Sequence, residues 1–398
     1  MKTVLYLLGN VLLMLIMGTV YSWSVFRVEV ESVFGASTLE SGLPYMTSLF
    51  FYALSMMVSG RFLNARNMRS LVFSGGVLIT TGWFISVISS NLLMLTFGYG
   101  VIIGTGVGMV YGVPVYHINR SYESNSGLYT GIVLGGFGAS PLVTAPLISM
   151  MIRMRGLTDT FFVMGVVSIM TLIPLSLIFR KKGLENKKEA VASKVYDKKL
   201  FWKVYMLFLT ATSIGLMIIG LTYRIGVSDY AFNTTHVALS VSVFALLNGI
   251  SRPIFGHLMD AWGFVRSVTL STGMILFAAV MAMVNHGESL MVYAVSFGLF
   301  WLNLGAWLAM VPAAIKEYFG IEGYARRYGV AFTAYGLGAI IGTVMSGVLL
   351  DLLDDTRYVY GMILTLTFLM GFIIRSLTNK KKQEAKKKPV RVQALSGQ

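Results

Sequence analysis

Twelve apolar runs, each about as long as a membrane-crossing helix, constrain this chain more than any other feature. They cover 3–26, 42–63, 70–89, 92–118, 127–152, 159–179, 201–223, 236–258, 266–285, 290–316, 326–350 and 357–377. A hydrocarbon core of ~30 Å takes roughly 20 residues of helix to cross, so the expected fold is an all-α membrane protein with twelve spanning helices. Only 12% of the residues are charged and the mean hydropathy is +0.72, against a charged share of about one quarter in soluble domains. The first run follows only Lys2 and has no small-residue cleavage site, so it reads as a retained helix and not a removed signal peptide. The chain has no cysteine, which excludes disulfides and thiolate metal sites. His236, His257 and His286 have no metal-ligand spacing. Neither a metal nor a cofactor is expected.

The net charge of +15 could suggest a nucleic-acid partner, but its distribution argues for a bilayer. Most of the surplus lies in Arg180 to Lys203, between the sixth and seventh runs, and in Arg375 to Arg391, after the twelfth. With those segments on one side, Lys2, Arg61, Arg66, Arg69, Arg120, Arg266, Lys316, Arg326 and Arg327 join them, and Arg27, Arg153, Arg155, Arg224 and Arg357 lie opposite. The positive-inside rule then places both termini in the cytoplasm of a multi-pass protein of the cell membrane. The basic tail reads as a topology and anionic-lipid signal; no nucleic acid is expected. The boundaries that follow are a six-helix bundle over 1–179, a basic cytoplasmic linker over 180–200, a second bundle over 201–377 and a basic tail over 378–398.

Two short passages repeat across the linker: Gly60, Asn64, Asn67 and Arg69 after the second run, and Gly256, Asp260, Gly263 and Arg266 after the eighth. Glycine permits close approach, the acid or amide accepts hydrogen bonds at a helix end, and the basic residues anchor the loop. The pattern resembles the loop signature of the major facilitator superfamily, with Asn64 replacing the acid and Asn67 the glycine in the first copy. That resemblance implies two six-helix halves related by an axis along the membrane normal, with a solute site between them near midplane. Gly100, Gly104, Gly108 and Gly112 give the fourth span a smooth face, as do Gly131, Gly135 and Ala139 in the fifth and Gly338, Gly342 and Ser346 in the eleventh. Gly104-Thr-Gly106-Val-Gly108 lies inside a span with no preceding strand, so it is not a dinucleotide loop.

By these boundaries every acid lies in a loop or at a span end, while Arg252 sits about four turns inside the eighth span. An unpaired guanidinium at that depth costs at least ~2.5–3.5 kcal/mol. With no carboxylate inside the membrane to pair with it, the natural partner is a supplied anion, whose carboxylate matches the guanidinium fork. Asn248, one turn earlier on the same face, could donate to the same ligand. The competing reading has Arg252 bonding backbone carbonyls or snorkelling towards the cytoplasm.

Asn248-x-x-x-Arg252 with Gly256 and Asp260, Gly18-x-x-Tyr21-Ser-Trp23-Ser-Val-Phe26, Gly127-Leu-Tyr-Thr-Gly131 with Gly135-Gly136-Phe137-Gly138, and Phe332-Thr-Ala-Tyr335-Gly336 together resemble the oxalate/formate antiporter family and its bacterial lactate-transporting relatives. The resemblance covers essentially the whole chain and implies that Arg252 binds the substrate carboxylate. It also implies that Tyr21, Tyr111, Trp307, Phe332 and Tyr335 line the site, although ordinary helix packing would account for any one of them equally well. The oxalate exchangers carry a lysine where Tyr335 stands here. One fixed cation neutralises one carboxylate, and a dianion would keep an uncompensated charge in a low-dielectric cavity.

The expected function is therefore secondary active transport of a small monocarboxylate such as lactate or pyruvate, by alternating access around Arg252. Proton symport and exchange of one monocarboxylate for another are both electroneutral, so the second partner is a proton or a counter-anion; symport is the favoured form. Asp229, which also reads as a solvated loop carboxylate, and His117, which also reads as a structural helix-end residue, are the proton-coupling candidates. An oxalate/formate-type exchanger and a non-transporting carboxylate sensor are the alternatives. No acid–base pair, metal cluster or activated nucleophile suggests an enzyme. A monomer is expected.

Overall fold

Backbone polar groups find no water in hydrocarbon, so each apolar run must close its own helical hydrogen bonds. The computed structural model describes residues 2–64, 66–121, 126–179, 197–285, 287–320 and 324–395, apart from the side chains at 2–5, 119–121, 126–128, 130, 324–326 and 379–395, and it contains helices and no strand among them. The first crossing is α1 (Lys2–Met17), a 3₁₀ segment (Gly18–Ser22) and α2 (Trp23–Phe34); a short α3 (Thr38–Ser41) leads into α4 (Leu43–Phe62) and α5 (Met68–Val87). The fourth crossing is α6 (Leu92–Leu95), a π-helical stretch (Thr96–Ile103) and α7 (Gly104–Ser121). Next come α8 (Ser126–Gly138), α9 (Ser140–Ser176), α10 (Lys198–Arg224) with a π-helical end (Ile225–Asp229), α11 (Thr234–Asn285), α12 (Leu290–Phe319), α13 (Tyr324–Leu353) and α14 (Thr356–Leu395).

Nine helical segments among the described residues are long and apolar enough to cross a membrane. Two of them are far longer than one crossing needs. At ~1.5 Å per residue the 52 residues of α11 would reach more than twice through the bilayer. The chain breaks α11 at Gly263 (φ 74°, ψ 170°) and α9 at Gly156 (φ 80°, ψ 179°), backbone conformations essentially confined to glycine. Thus α11 supplies two crossings, α9 supplies the sixth and, together with α8, the fifth, and α4, whose serines and tyrosines lower its hydropathy, completes the twelve. Leu, Phe and Met side chains form the exterior, with Phe368 and Phe372 among the most exposed, as suits a surface that faces lipid tails.

The two repeated loops turn by different chemistry. After the eighth crossing Gly263 takes the positive φ itself. After the second, Asn67 Oδ1 accepts from the Asn64 N–H at 2.9 Å, Asn64 Oδ1 accepts from the Arg66 N–H at 2.9 Å, and Asn67 keeps φ at −111°. Side-chain amides here do the work of the missing glycine. The glycine stripe of the fourth crossing packs as expected: a Cβ on Gly104 would lie 2.4 Å from the Ser48 carbonyl oxygen, and one on Gly108 2.3 Å from that of Tyr52. Gly131 of the fifth crossing, by contrast, faces open space.

Residues 1–179 meet residues 201–377 chiefly through α4 against α13, α8 and α9 against α11, and α2 against α10. The linker expected at 180–200 lies largely outside the described residues. One expectation fails at the first crossing. The helix continues past residue 26 to Phe34, so Arg27 and Glu31 are not loop residues, and Arg27 is as deeply buried as Arg252, at 1% and 3% exposure. Arg-Val-Glu-Val-Glu-Ser-Val-Phe stays helical because its charges pair locally, with Glu31 lying 3.5 Å from Arg27 at i,i+4 spacing.

Candidate functional site

Arg252 projects from the eighth crossing into the contact between α11 and α8. Its Nη1 donates to the Leu134 carbonyl at 2.7 Å and its Nη2 to Asn248 Oδ1 at 3.3 Å. Nε has no partner among the described residues, although it is buried, and no carboxylate is paired with this guanidinium among them. The carbonyl-bonding reading of Arg252 is thus correct for one edge of the fork. The Nε–H remains uncommitted, and a buried donor left so costs ~1–3 kcal/mol.

Asn248 holds the arginine in place. Its Nδ2 donates to the Trp301 carbonyl at 2.8 Å while its Oδ1 accepts from Arg252, so both ends of the amide are engaged. Trp301 is anchored in turn through its indole N–H to Thr222 Oγ1 at 2.9 Å. The opposing wall comes from Gly138, where a Cβ would lie 2.4 Å from Asn248 Oδ1 and 3.1 Å from Arg252 Nη2. Only a residue without a side chain lets the fifth crossing approach this closely.

Beside Arg252 the structure gathers an aromatic cluster. The Tyr21 and Tyr335 hydroxyls bond at 2.8 Å across the contact between the first and eleventh crossings, and Tyr21 lies within electrostatic reach of Arg252. Phe332 stacks on Tyr335 with centroids 5.0 Å apart, and Tyr111 packs on Phe332 at 6.1 Å. Two rings that the sequence did not single out complete the cluster. Tyr52 touches Tyr111, Phe332 and Tyr335 with centroids 5.2 to 5.6 Å apart, and Phe137 touches Tyr21 and Tyr111, both at 5.2 Å. Each contact adds ~0.5–1.5 kcal/mol beyond burial. A tyrosine in a run rich in aromatics, such as Tyr52, carries no signal of its own, and Phe137 stands out in the sequence only as part of a glycine-rich passage.

Three expected residues lie elsewhere. The Trp307 ring meets Phe264 at 6.5 Å and no member of the cluster, and its indole N–H has no partner among the described residues. Asp229 takes both its oxygens to Arg224 Nη1, at 2.7 and 2.9 Å, at the face away from the termini. His117 lies towards the face that carries the termini, with its Nδ1 3.1 Å from Asn10 Nδ2 and its ring between Tyr6 and Phe179. No cluster of metal-ligating side chains occurs among the described residues. A groove of about 500 Å³ between α11 and α12, lined by Leu239, Val243, Leu247, Val295, Leu299 and Leu302, shares none of the site's residues.

This geometry is one buried cation with a free N–H, braced by an amide and walled by aromatic rings, at the contact of the two sets of six crossings. The chain is similar along 84% of its length to an uncharacterized MFS-type transporter, YhjX, of Escherichia coli (strain K12), at 23% identity and with 85% of that protein covered. It is 25% identical to an oxalate:formate antiporter of Oxalobacter formigenes, covering 85% of this chain and 82% of the relative. It is also 25% identical to human monocarboxylate transporter 11, over 72% and 64%. Among solved structures, a bacterial homolog of the human lysosomal transporter Spinster superposes with a TM-score of 0.72 over 94% of this chain and 96% of that one, at 12% identity, which speaks to fold alone. The Major Facilitator Superfamily profile matches residues 6–310 and 205–396, and the chain belongs to that superfamily of membrane transporters.

Proposed function

We propose that this protein is a secondary active transporter of a small monocarboxylate of the lactate and pyruvate class, working by alternating access around Arg252. The observation that carries the reading is the free, buried Nε–H of a guanidinium that no carboxylate neutralises among the described residues. A carboxylate entering there would gain a charge-assisted bond from Nε, and by displacing the Leu134 carbonyl from Nη1 it would gain more. Asn248 acts as the positioning residue, since its amide is already engaged at both ends. Tyr21, Tyr111, Phe332 and Tyr335 exclude water, and the paired Tyr21 and Tyr335 hydroxyls are polar groups on that wall for a substrate oxygen. Trp307 is not part of this reading. The names of the relatives support small organic anions as the cargo.

In this reading the protein sits in the cell membrane with both termini cytoplasmic, as a monomer of two six-helix halves joined by the 180–200 linker. It couples one carboxylate to one proton, with Asp229 and His117 as the titratable candidates. A second reading, oxalate/formate-type exchange, is favoured by the relative from Oxalobacter formigenes. Uptake of labelled lactate, pyruvate, formate and oxalate into proteoliposomes, with and without an imposed pH gradient, tests both. Lactate or pyruvate uptake accelerated by an acid exterior is the expected result. Oxalate uptake alone would replace this reading with the exchanger, and ligand binding without uptake would replace it with a sensor.

A further inference from the structure

Away from the Arg252 site, on the face opposite the termini, four charged side chains and a short helix tie the two sets of crossings together. Arg27 of α2 is almost fully enclosed: Nε donates to Ser41 Oγ at 2.9 Å, Nη2 to the Thr38 carbonyl, and Nη1 across the contact to the Gly220 carbonyl of α10 at 3.2 Å. Glu31, one turn on, lies 3.3 Å from Arg224 of α10 and accepts from Ser41 Oγ at 2.7 Å. Arg224 is shared with Asp229. On the other flank, Asp351 at the end of α13 accepts from the Thr38 and Leu39 N–H groups of α3 at 2.8 and 3.0 Å. Ser37 and Glu40 close a capping box on α3, so those two N–H groups are held in place for Asp351.

The contacts between these ties are close. A Cβ on Gly220 would lie 2.9 Å from the Tyr45 ring, and one on Gly347 2.6 Å from Leu39 Cα. Directly beneath on α13, Thr343, Ala339 and Tyr335 follow one another at four-residue spacing and are all buried, so one helix face leads from this seal to the aromatic cluster. A substrate approaching from this side must part α2 and α3 from α10 and α13.

We propose that Glu31 and Asp351 are positioning residues of the transport cycle that latch the mouth opposite the termini, Glu31 through Arg224 and Asp351 through the backbone of α3. The ties differ in kind. The Glu31–Arg224 pair is an ion pair with partial solvent contact, weakened by salt, whereas the Asp351 tie is directional and made to two backbone donors. Arg27 is committed to carbonyls on both sides and serves as their anchor. When the mouth opens, Arg224 keeps Asp229 as a partner within its own half, so parting from Glu31 does not strand its charge.

The chain's lack of cysteine gives a clean test that needs no substrate, so its failure is distinguishable from failure of the carboxylate reading. Ala339→Cys serves as a buried reporter, and its labelling by a membrane-impermeant maleimide is timed in vesicles of each orientation. In an otherwise unchanged latch, labelling from the face opposite the termini is expected to be slow. Adding Glu31→Gln with Asp351→Asn is expected to raise that rate about tenfold or more and leave the rate from the terminal face unchanged. Each single variant is expected to fall between, which keeps the test open if the double variant folds poorly. Unchanged labelling in all three variants, or equal acceleration from both faces, overturns the proposal.

Discussion

Replacing Arg252 by lysine separates charge from geometry. An ammonium keeps the cation but presents no planar fork, so it can serve the Leu134 carbonyl or Asn248 Oδ1 without leaving a fixed N–H for substrate. Losing one charge-assisted bond of ~1.5–3 kcal/mol corresponds to a fall of roughly 10- to 100-fold in transport efficiency, read as initial uptake over substrate concentration in proteoliposomes. Near-normal uptake by Arg252→Lys would remove the assigned role. The Tyr21–Tyr335 pair makes a different prediction. Either single change to phenylalanine strands one buried hydroxyl, costing ~1–3 kcal/mol of stability, whereas the double change removes both partners and is expected to be nearly neutral. Thermal unfolding in detergent of the four members of that cycle checks it, and additive losses would mean that the hydroxyls do not depend on each other. Arg252 could be found from sequence because a charge in an apolar run is rare. Glu31, Tyr52 and Trp301 could not, because an acid near a span end and an aromatic ring within one are ordinary, and only the packing reveals what they touch.

Among the helices, the apolar runs located every crossing but misplaced several ends. Hydropathy reports the stretch that must face hydrocarbon; the helix itself stops where its backbone finds another partner. Thus α10 starts at Lys198 because Asp197 caps it through the Leu200 N–H at 3.1 Å, and the first crossing persists to Phe34 until Gly35 turns left-handed at φ 60°. The loop passages were expected to use glycine for close approach, yet Gly60 and Gly256 face open space; the glycine that matters is Gly263, at the turn itself, and in the first copy paired asparagines take its place. Where glycine does make the turn it should be irreplaceable. Gly263→Ala forces a Cβ into a backbone conformation that costs ~1–3 kcal/mol for other residues, even though nothing crowds the position. A lowered unfolding temperature of that variant, with Gly256→Ala as an uncrowded helical control, is the expected outcome; equal stability of the two would mean that the α11 break does not need glycine.

For the whole molecule, twelve crossings follow from hydropathy and the superfamily from two loop passages, yet the contact between the halves was invisible in sequence. It is assembled from positions far apart in the chain, such as Thr38 with Asp351 and Glu31 with Arg224. These same positions allow the proposed alternating access to be arrested on purpose. Thr38 N and Asp351 Oδ1 are 2.8 Å apart, so cysteines at the two positions lie within the span of a short bifunctional methanethiosulfonate. Cross-linking Thr38→Cys with Asp351→Cys replaces a tie that the proposed latch must break in every cycle with one that cannot break. Relative to the same double variant before treatment, uptake and efflux are then expected to stop together and to recover when the reagent is reduced, while treating either single-cysteine variant changes its own transport little. A cross-linked protein that still carried substrate would mean that α3 and α13 need not separate, and the route would have to pass elsewhere between the two halves.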